Sequence, residues 1–138
     1  MKGTKASRGS VITSNQEGKM IQALTVRENV TTWVDVCHLS DIVPNTGVCA
    51  LVEGEQVAIF RIEPGTDIYA IGNYDPFSKA YVLSRGIVGD RNGIPKVASP
   101  IYKQNFSLLT GQCLDDETLK VPTYKVRVVN DTVQVGIG

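Results

Sequence analysis

An all-β domain built from several antiparallel sheets is the fold class this 138-residue sequence predicts. Three observations carry it. β-Branched and aromatic residues gather in short alternating runs, turn-forming residues separate those runs, and no stretch keeps a helical period long enough for a major helix. With that many short strands and no repeat or low-complexity tract, the arrangement reads as a small multi-sheet sandwich or barrel.

The elements follow in order. Residues 1–30 are rich in Ser, Thr, Gly, Lys and Gln and lack periodic apolar positions, which suits a flexible arm; Met20–Val26 is its one segment able to order. The folded domain is expected over 31–138. Thr32–Cys37 alternates as a strand, Leu39–Ile42 makes a helical turn, and Pro44–Gly47 turns the chain. A hairpin follows, Val48–Val52 with Gln56–Ile62 around Glu53-Gly54-Glu55, then a break at Pro64-Gly65 and a strand at Asp67–Gly72. Asn105–Leu109 reads as a strand, with Thr110–Leu114 as a tight turn and a short strand. Tyr124–Val129 and Thr132–Val135 close the chain as a hairpin around Asn130-Asp131.

Composition narrows the function classes. Lys plus Arg number 14 and Asp plus Glu 14, a formal net charge of +0, so no global field favours nucleic acid or anionic lipid. No segment approaches the roughly 18 apolar residues of a membrane helix, and the amino terminus lacks the apolar core of a signal peptide. Cys37, Cys49 and Cys113 are odd in number and contain no Cys-x-x-Cys pair, which reads as reduced, mostly buried thiols of a cytoplasmic protein, Cys49 and Cys113 as small core residues. His38 is the only histidine; it follows Cys37 on a strand, so the two point to opposite faces and neither a nucleophile pair nor a shared metal is expected. No Gly-x-Gly-x-x-Gly fingerprint and no nucleophile elbow is present.

Two loops carry a resemblance. Tyr69–Phe77 followed by Leu83–Asp90 resembles the first cluster-binding loop of Rieske domains, and Val97–Phe106 with Phe106–Leu114 is similar to the second loop and the strand and Thr-Gly turn after it. Asp75 and Phe77 stand at the first Cys and His positions; Ser99 and Tyr102 stand at the second pair. A Rieske centre needs two thiolates and two imidazoles, which one histidine cannot supply. In detail, Asn73–Ala80, Val97–Phe106, Cys113–Asp116 and Pro122–Val128 are similar to the small subunit of NAD(P)H-dependent assimilatory nitrite reductase, a resemblance running from Trp33 to Val135.

The resemblance implies a Rieske-like antiparallel β sandwich with two degenerate cluster loops. It also implies an accessory subunit, itself non-catalytic and without a cofactor of its own. The partner is then a large subunit, which holds FAD, a [4Fe-4S] cluster and sirohaem and reduces nitrite to ammonium. No catalytic, cofactor-binding or metal residue is expected in this chain. Asp75, Ser99 and Tyr102 offer oxygens to a hard cation, but one carboxylate is too few, and the preferred role is structural. Asp75 and Ser99 cap their loops while Phe77 and Tyr102 fill the space of the cluster. As a docking tip, Tyr74, Phe77, Tyr81 and Tyr102 supply anchors, with Lys79, Arg85, Lys103 and Gln104 as a polar rim. Asp115-Asp116-Glu117 reads as a solvated acidic loop, and Lys125 with Arg127 as one solvent-facing side of the last hairpin. The competing reading is a free-standing binding module on the same scaffold.

Overall fold

The alternating runs become strands where each finds a partner of matching register. A computed structural model describes residues 30, 32–63 and 67–138. The expected arm over 1–30, with its segment Met20–Val26, and the break at Pro64-Gly65 lie outside the described residues, apart from Val30. In chain order the strands are β1 Thr32–His38, β2 Thr46–Val52, β3 Glu55–Ile62, β4 Asp67–Gly72, β5 Tyr74–Asp75, β6 Ala80–Tyr81, β7 Ile87–Arg91, β8 Ile94–Ala98, β9 Asn105–Ser107, β10 Thr123–Tyr124, β11 Val126–Val129 and β12 Thr132–Ile137. The helical pieces among the described residues are single 3-10 turns at Leu39–Asp41 and Leu83–Arg85. No described helix is long and apolar enough to cross a membrane.

The chain divides into two units, one taking it up to Leu39 together with Lys125–Gly138, the other spanning Ser40–Tyr124. The first is an antiparallel sheet in the order β11-β12-β1. Asn130 and Asp131 both adopt positive φ, 49° and 64°, as a two-residue hairpin turn demands of residues that tolerate it. The register slips between Val133, opposite Cys37, and Gln134, opposite Asp35, which leaves Val36 as a bulge. Gln134 then bridges the sheet, donating to Asp35 at 2.6 Å and accepting from Arg127 Nε at 2.7 Å, while the Arg127 guanidinium lies 4.1 Å from the Trp33 ring centre. Arg127 is therefore held by its neighbours and Lys125 falls in a break before β11, but both are exposed, the solvent-facing side the alternation suggested.

The second unit carries a four-stranded antiparallel sheet ordered β10-β4-β3-β2, a three-stranded one ordered β9-β8-β7, and the two-stranded β5-β6. Ala58 and Phe60 of β3 and Ile71 of β4 pack with Val97 of β8 and Phe106 of β9, so these sheets share one core with Leu83, Leu108, Cys113 and Val121. Val57–Phe60 is buried on both faces, which is why β3 reads as a continuous apolar run and lies inside its sheet.

Several boundaries move. Thr46 and Gly47 already belong to β2 and Glu55 to β3, leaving a two-residue turn of Glu53 and Gly54 at φ 50° and 83°. The Asn105–Leu109 strand stops at Ser107, whose hydroxyl accepts the backbone N–H of Leu109 and Thr110 at 3.1 and 3.2 Å and turns the chain. Gln112 and Cys113 make single bridges with Lys120 and Phe106 instead of a strand. The Tyr124–Val129 run splits, Thr123–Tyr124 pairing with β4 and Val126–Val129 with β12.

Gly111 closes the Thr-Gly turn at φ 79°, and the Val121 carbonyl oxygen occupies the place a Cβ would take. Gly111→Ala meets both the left-handed penalty and a backbone clash, so we expect a loss of about 3 kcal/mol in unfolding free energy, read as a lowered urea midpoint at unchanged slope.

Candidate functional site

Two five-residue loops of the second unit repeat one local design. Asp75–Lys79 joins β5 to β6, and Ser99–Lys103 leads from β8 towards β9. Each begins with a residue whose carbonyl accepts the backbone N–H four residues on, from Lys79 at 2.7 Å and from Lys103 at 3.1 Å. Proline follows, its fixed φ suited to entering a turn. The first side chain then accepts the N–H two residues on, Phe77 N to Asp75 Oδ1 at 2.9 Å and Ile101 N to Ser99 Oγ at 3.3 Å. Each loop ends on a lysine in the left-handed region, φ 62° at Lys79 and 65° at Lys103.

The loops are joined at their starting residues. The Ser99 hydroxyl donates to Asp75 Oδ2 at 2.6 Å, and Ser78 Oγ donates to the same oxygen at 2.7 Å. Both Asp75 and Ser99 are 0% exposed. Burial pushes the Asp75 carboxyl up, but the Ser99 and Ser78 hydroxyls and the Phe77 and Ser78 amides outweigh it and hold the group below the usual carboxylate value. Beneath the first loop, buried Asn73 donates through Nδ2 to Gln56 Oε1 at 3.0 Å and accepts the Ser84 amide at 2.7 Å. At Gly86 a Cβ would collide with the Ala98 carbonyl oxygen, so glycine lets the segment after the first loop reach the start of the second.

These residues do not fit a [2Fe-2S] group. The four ligand positions hold a carboxylate, a hydroxyl and two aromatic rings. The first and third are hydrogen-bonded directly at 2.6 Å, where iron would have to stand between its two ligands. A hard cation is no better served: three donors already point at Asp75, and Tyr102 is 62% exposed while Ser99 is buried. Among the described residues no three His, Cys, Asp or Glu side chains gather.

The aromatics sit differently from the packing role expected of them. Phe77 and Tyr102 meet edge to face at 5.3 Å between ring centres, yet both are exposed; the Asp75–Ser99 bond, not the rings, fills the centre between the loops. Tyr74 and Tyr81 form a second exposed pair at 4.9 Å. Lys79, Arg85 and Lys103 are exposed and Gln104 is half-buried, its carbonyl accepting the Ser99 amide. Exposed Ile101 joins this surface unanticipated, and its place beside Pro100 in the loop was the available signal. A recess of about 270 Å³ adjoins it, lined in part by Tyr74, Tyr81, Tyr124, Glu55 and Lys120.

The remaining candidates lie apart from any reactive arrangement. His38 is exposed at the end of β1. Cys113 is buried and Cys37 half-buried, but Cys49 is exposed, not a core residue; it faces outward on the edge strand β2 with Leu51, because both alternate with inward positions. Burial by its neighbours still raises the Cys49 thiol above its usual value, the opposite of an activated nucleophile. Asp115 is not merely solvated: it pairs with Arg91 at 3.1 Å and accepts both the Asn105 amide and side chain, while Asp116 caps Thr118.

The Rieske-like [2Fe-2S] domain family matches residues 32–136. The nitrite reductase (NADH) small subunit of Salmonella typhimurium is 47% identical over 106 residues, covering 77% of this chain and 98% of that protein. The NMR structure of the Escherichia coli protein NirD superposes with a TM-score of 0.72 at 47% identity, covering 78% of this chain and 97% of that one. The Klebsiella oxytoca nitrite reductase [NAD(P)H] large subunit is 40% identical over 104 residues, 75% of this chain but 11% of that much longer protein.

Proposed function

Because the chain belongs to the Rieske-like [2Fe-2S] domain family and, within it, to the small subunits of NADH nitrite reductase, we propose that it serves as the accessory subunit of an oxidoreductase whose large subunit reduces nitrite to ammonium. The observation that carries this is the Klebsiella match: a stretch like this chain occupies about a tenth of a single polypeptide there, 11% of its length. A domain found separate in some proteins and fused to the large chain in another supports physical association of the two.

In this reading the large subunit, in the cytoplasm, holds the FAD, [4Fe-4S] cluster and sirohaem that the chemistry needs. The chain itself contributes residues 31–138 as the docking domain. Docking uses the two-loop tip, with Tyr74, Phe77, Tyr81 and Tyr102 as anchors and Lys79, Arg85 and Lys103 around them; exposed aromatic rings bury large area at small rotamer cost. A free-standing module is not favoured, since the match spans 98% of a small-subunit relative.

The test is co-expression of the tagged full chain with the large subunit in nitrate-grown cells. A captured complex showing flavin and sirohaem absorption is expected. A colourless chain eluting alone, with the reductase left in the lysate, would overturn the reading.

A further inference from the structure

Seven non-glycine residues hold positive φ among the described residues: Asn45, Glu53, Lys79, Asn92, Lys103, Asn130 and Asp131. Asn and Asp tolerate that conformation through their short polar side chains, and they fill four of the seven positions. Lysine has no such compensation. Yet the two lysines stand at the same closing position of the two tip loops, where glycine would meet no Cβ penalty. Their side chains are the charged groups that residues 74–81 and 99–104 present to solvent, because the one acid in those segments, Asp75, is 0% exposed. A chain of net charge +0 therefore carries a local excess of positive charge around an exposed aromatic pair. Lys103 Nζ is held over its own loop, donating to the Pro100 carbonyl at 3.3 Å, so this charge is positioned before any partner arrives.

We propose that Lys79 and Lys103 are the electrostatic half of the tip, and that the surface receiving it is an apolar socket on the large subunit flanked by carboxylates. The inference rests on tip docking as proposed above and adds the chemistry of the receiving face. Rim charges of this kind act on encounter rate and salt dependence more than on dissociation.

The experiment titrates the purified large subunit with the full chain at low and physiological salt. K79G/K103G removes both charges and relaxes both left-handed corners, so its urea midpoint should equal or exceed that of the parent. Its association rate at low salt should fall about tenfold, with a shallower salt dependence. K79N/K103N removes the charges with a residue that also accepts positive φ, and should behave alike. Unchanged association rate and salt slope in either folded pair would overturn the inference. If Phe77→Ala weakens binding while the lysine pairs do not, tip docking stands and the carboxylate-flanked socket fails. If none of these variants changes binding, tip docking fails with it.

Discussion

Replacing Asp75 with alanine is expected to remove about 4 kcal/mol of unfolding free energy, a large share of the roughly 5–15 kcal/mol typical of a single domain. The carboxylate receives the Phe77 amide and the Ser78 and Ser99 hydroxyls at 2.6–2.9 Å, and it is the bond that ties one loop to the other. Alanine leaves the wholly buried Ser99 hydroxyl without its acceptor, and the cost of an unmade buried bond exceeds the worth of the bond formed. Asp75→Asn keeps the shape, and the hydroxyls can turn to meet an amide, but the charge assistance goes, so it should fall between alanine and the parent. Urea unfolding of the three proteins ranks them.

The same group sets an acid limb. Its folded value lies below the unfolded one, so it contributes stability that is fully present above the unfolded carboxylate value of about 3.9 and is lost as pH falls through the folded value. Asp115, held down by the Asn105 amide first and by Arg91 besides, adds in the same direction, though it lies in solvent and contributes less. Unfolding followed from pH 6 downward should show a flatter decline in Asp75→Asn than in the parent.

Phe77→Ala combined with Tyr102→Ala should weaken association with the large subunit by about a hundredfold, the scale of two central aromatic anchors, while the urea midpoint barely moves. The contrast with Asp75→Ala follows from burial. Phe77 is 44% and Tyr102 62% exposed, so truncation removes little that the folded chain uses, and what is lost is surface that a partner would cover. Unaltered affinity in the folded double variant would remove Phe77 and Tyr102 from the docking face. The exposed Tyr74–Tyr81 pair and the adjoining recess would then be the next surface to mutate.

Much of the fold was legible because its determinants are local. The β2–β3 hairpin and the closing turn at Asn130-Asp131 follow from alternation and from residues that accept positive φ. The Ile87–Ala98 hairpin was not among the expected elements, although Asn92-Gly93, a pair that accepts positive φ, forms its turn. Splitting Tyr124–Val129 was beyond local pattern: the run is β-rich throughout, and only the partners β4 and β12 decide where one strand ends. Cys49 looked like core because its neighbours are apolar, but an edge strand turns alternate residues outward.

At the site, the capping roles of Asp75 and Ser99 were readable from residue type and from the prolines that follow them. Their bond to each other spans 24 residues of sequence and has no local signature. Nor does any propensity place lysine in the left-handed region, so the matched corners at Lys79 and Lys103 emerge only from the backbone.

Hydrogen–deuterium exchange of the full chain, alone and saturated with the large subunit, distinguishes docking through the two loops from docking through any other surface. Docking through the loops predicts slowed exchange confined to peptides covering 74–81 and 99–104, with β1, β11 and β12 unchanged. Protection on those three strands, with the loops exchanging as freely as in the isolated chain, would contradict it.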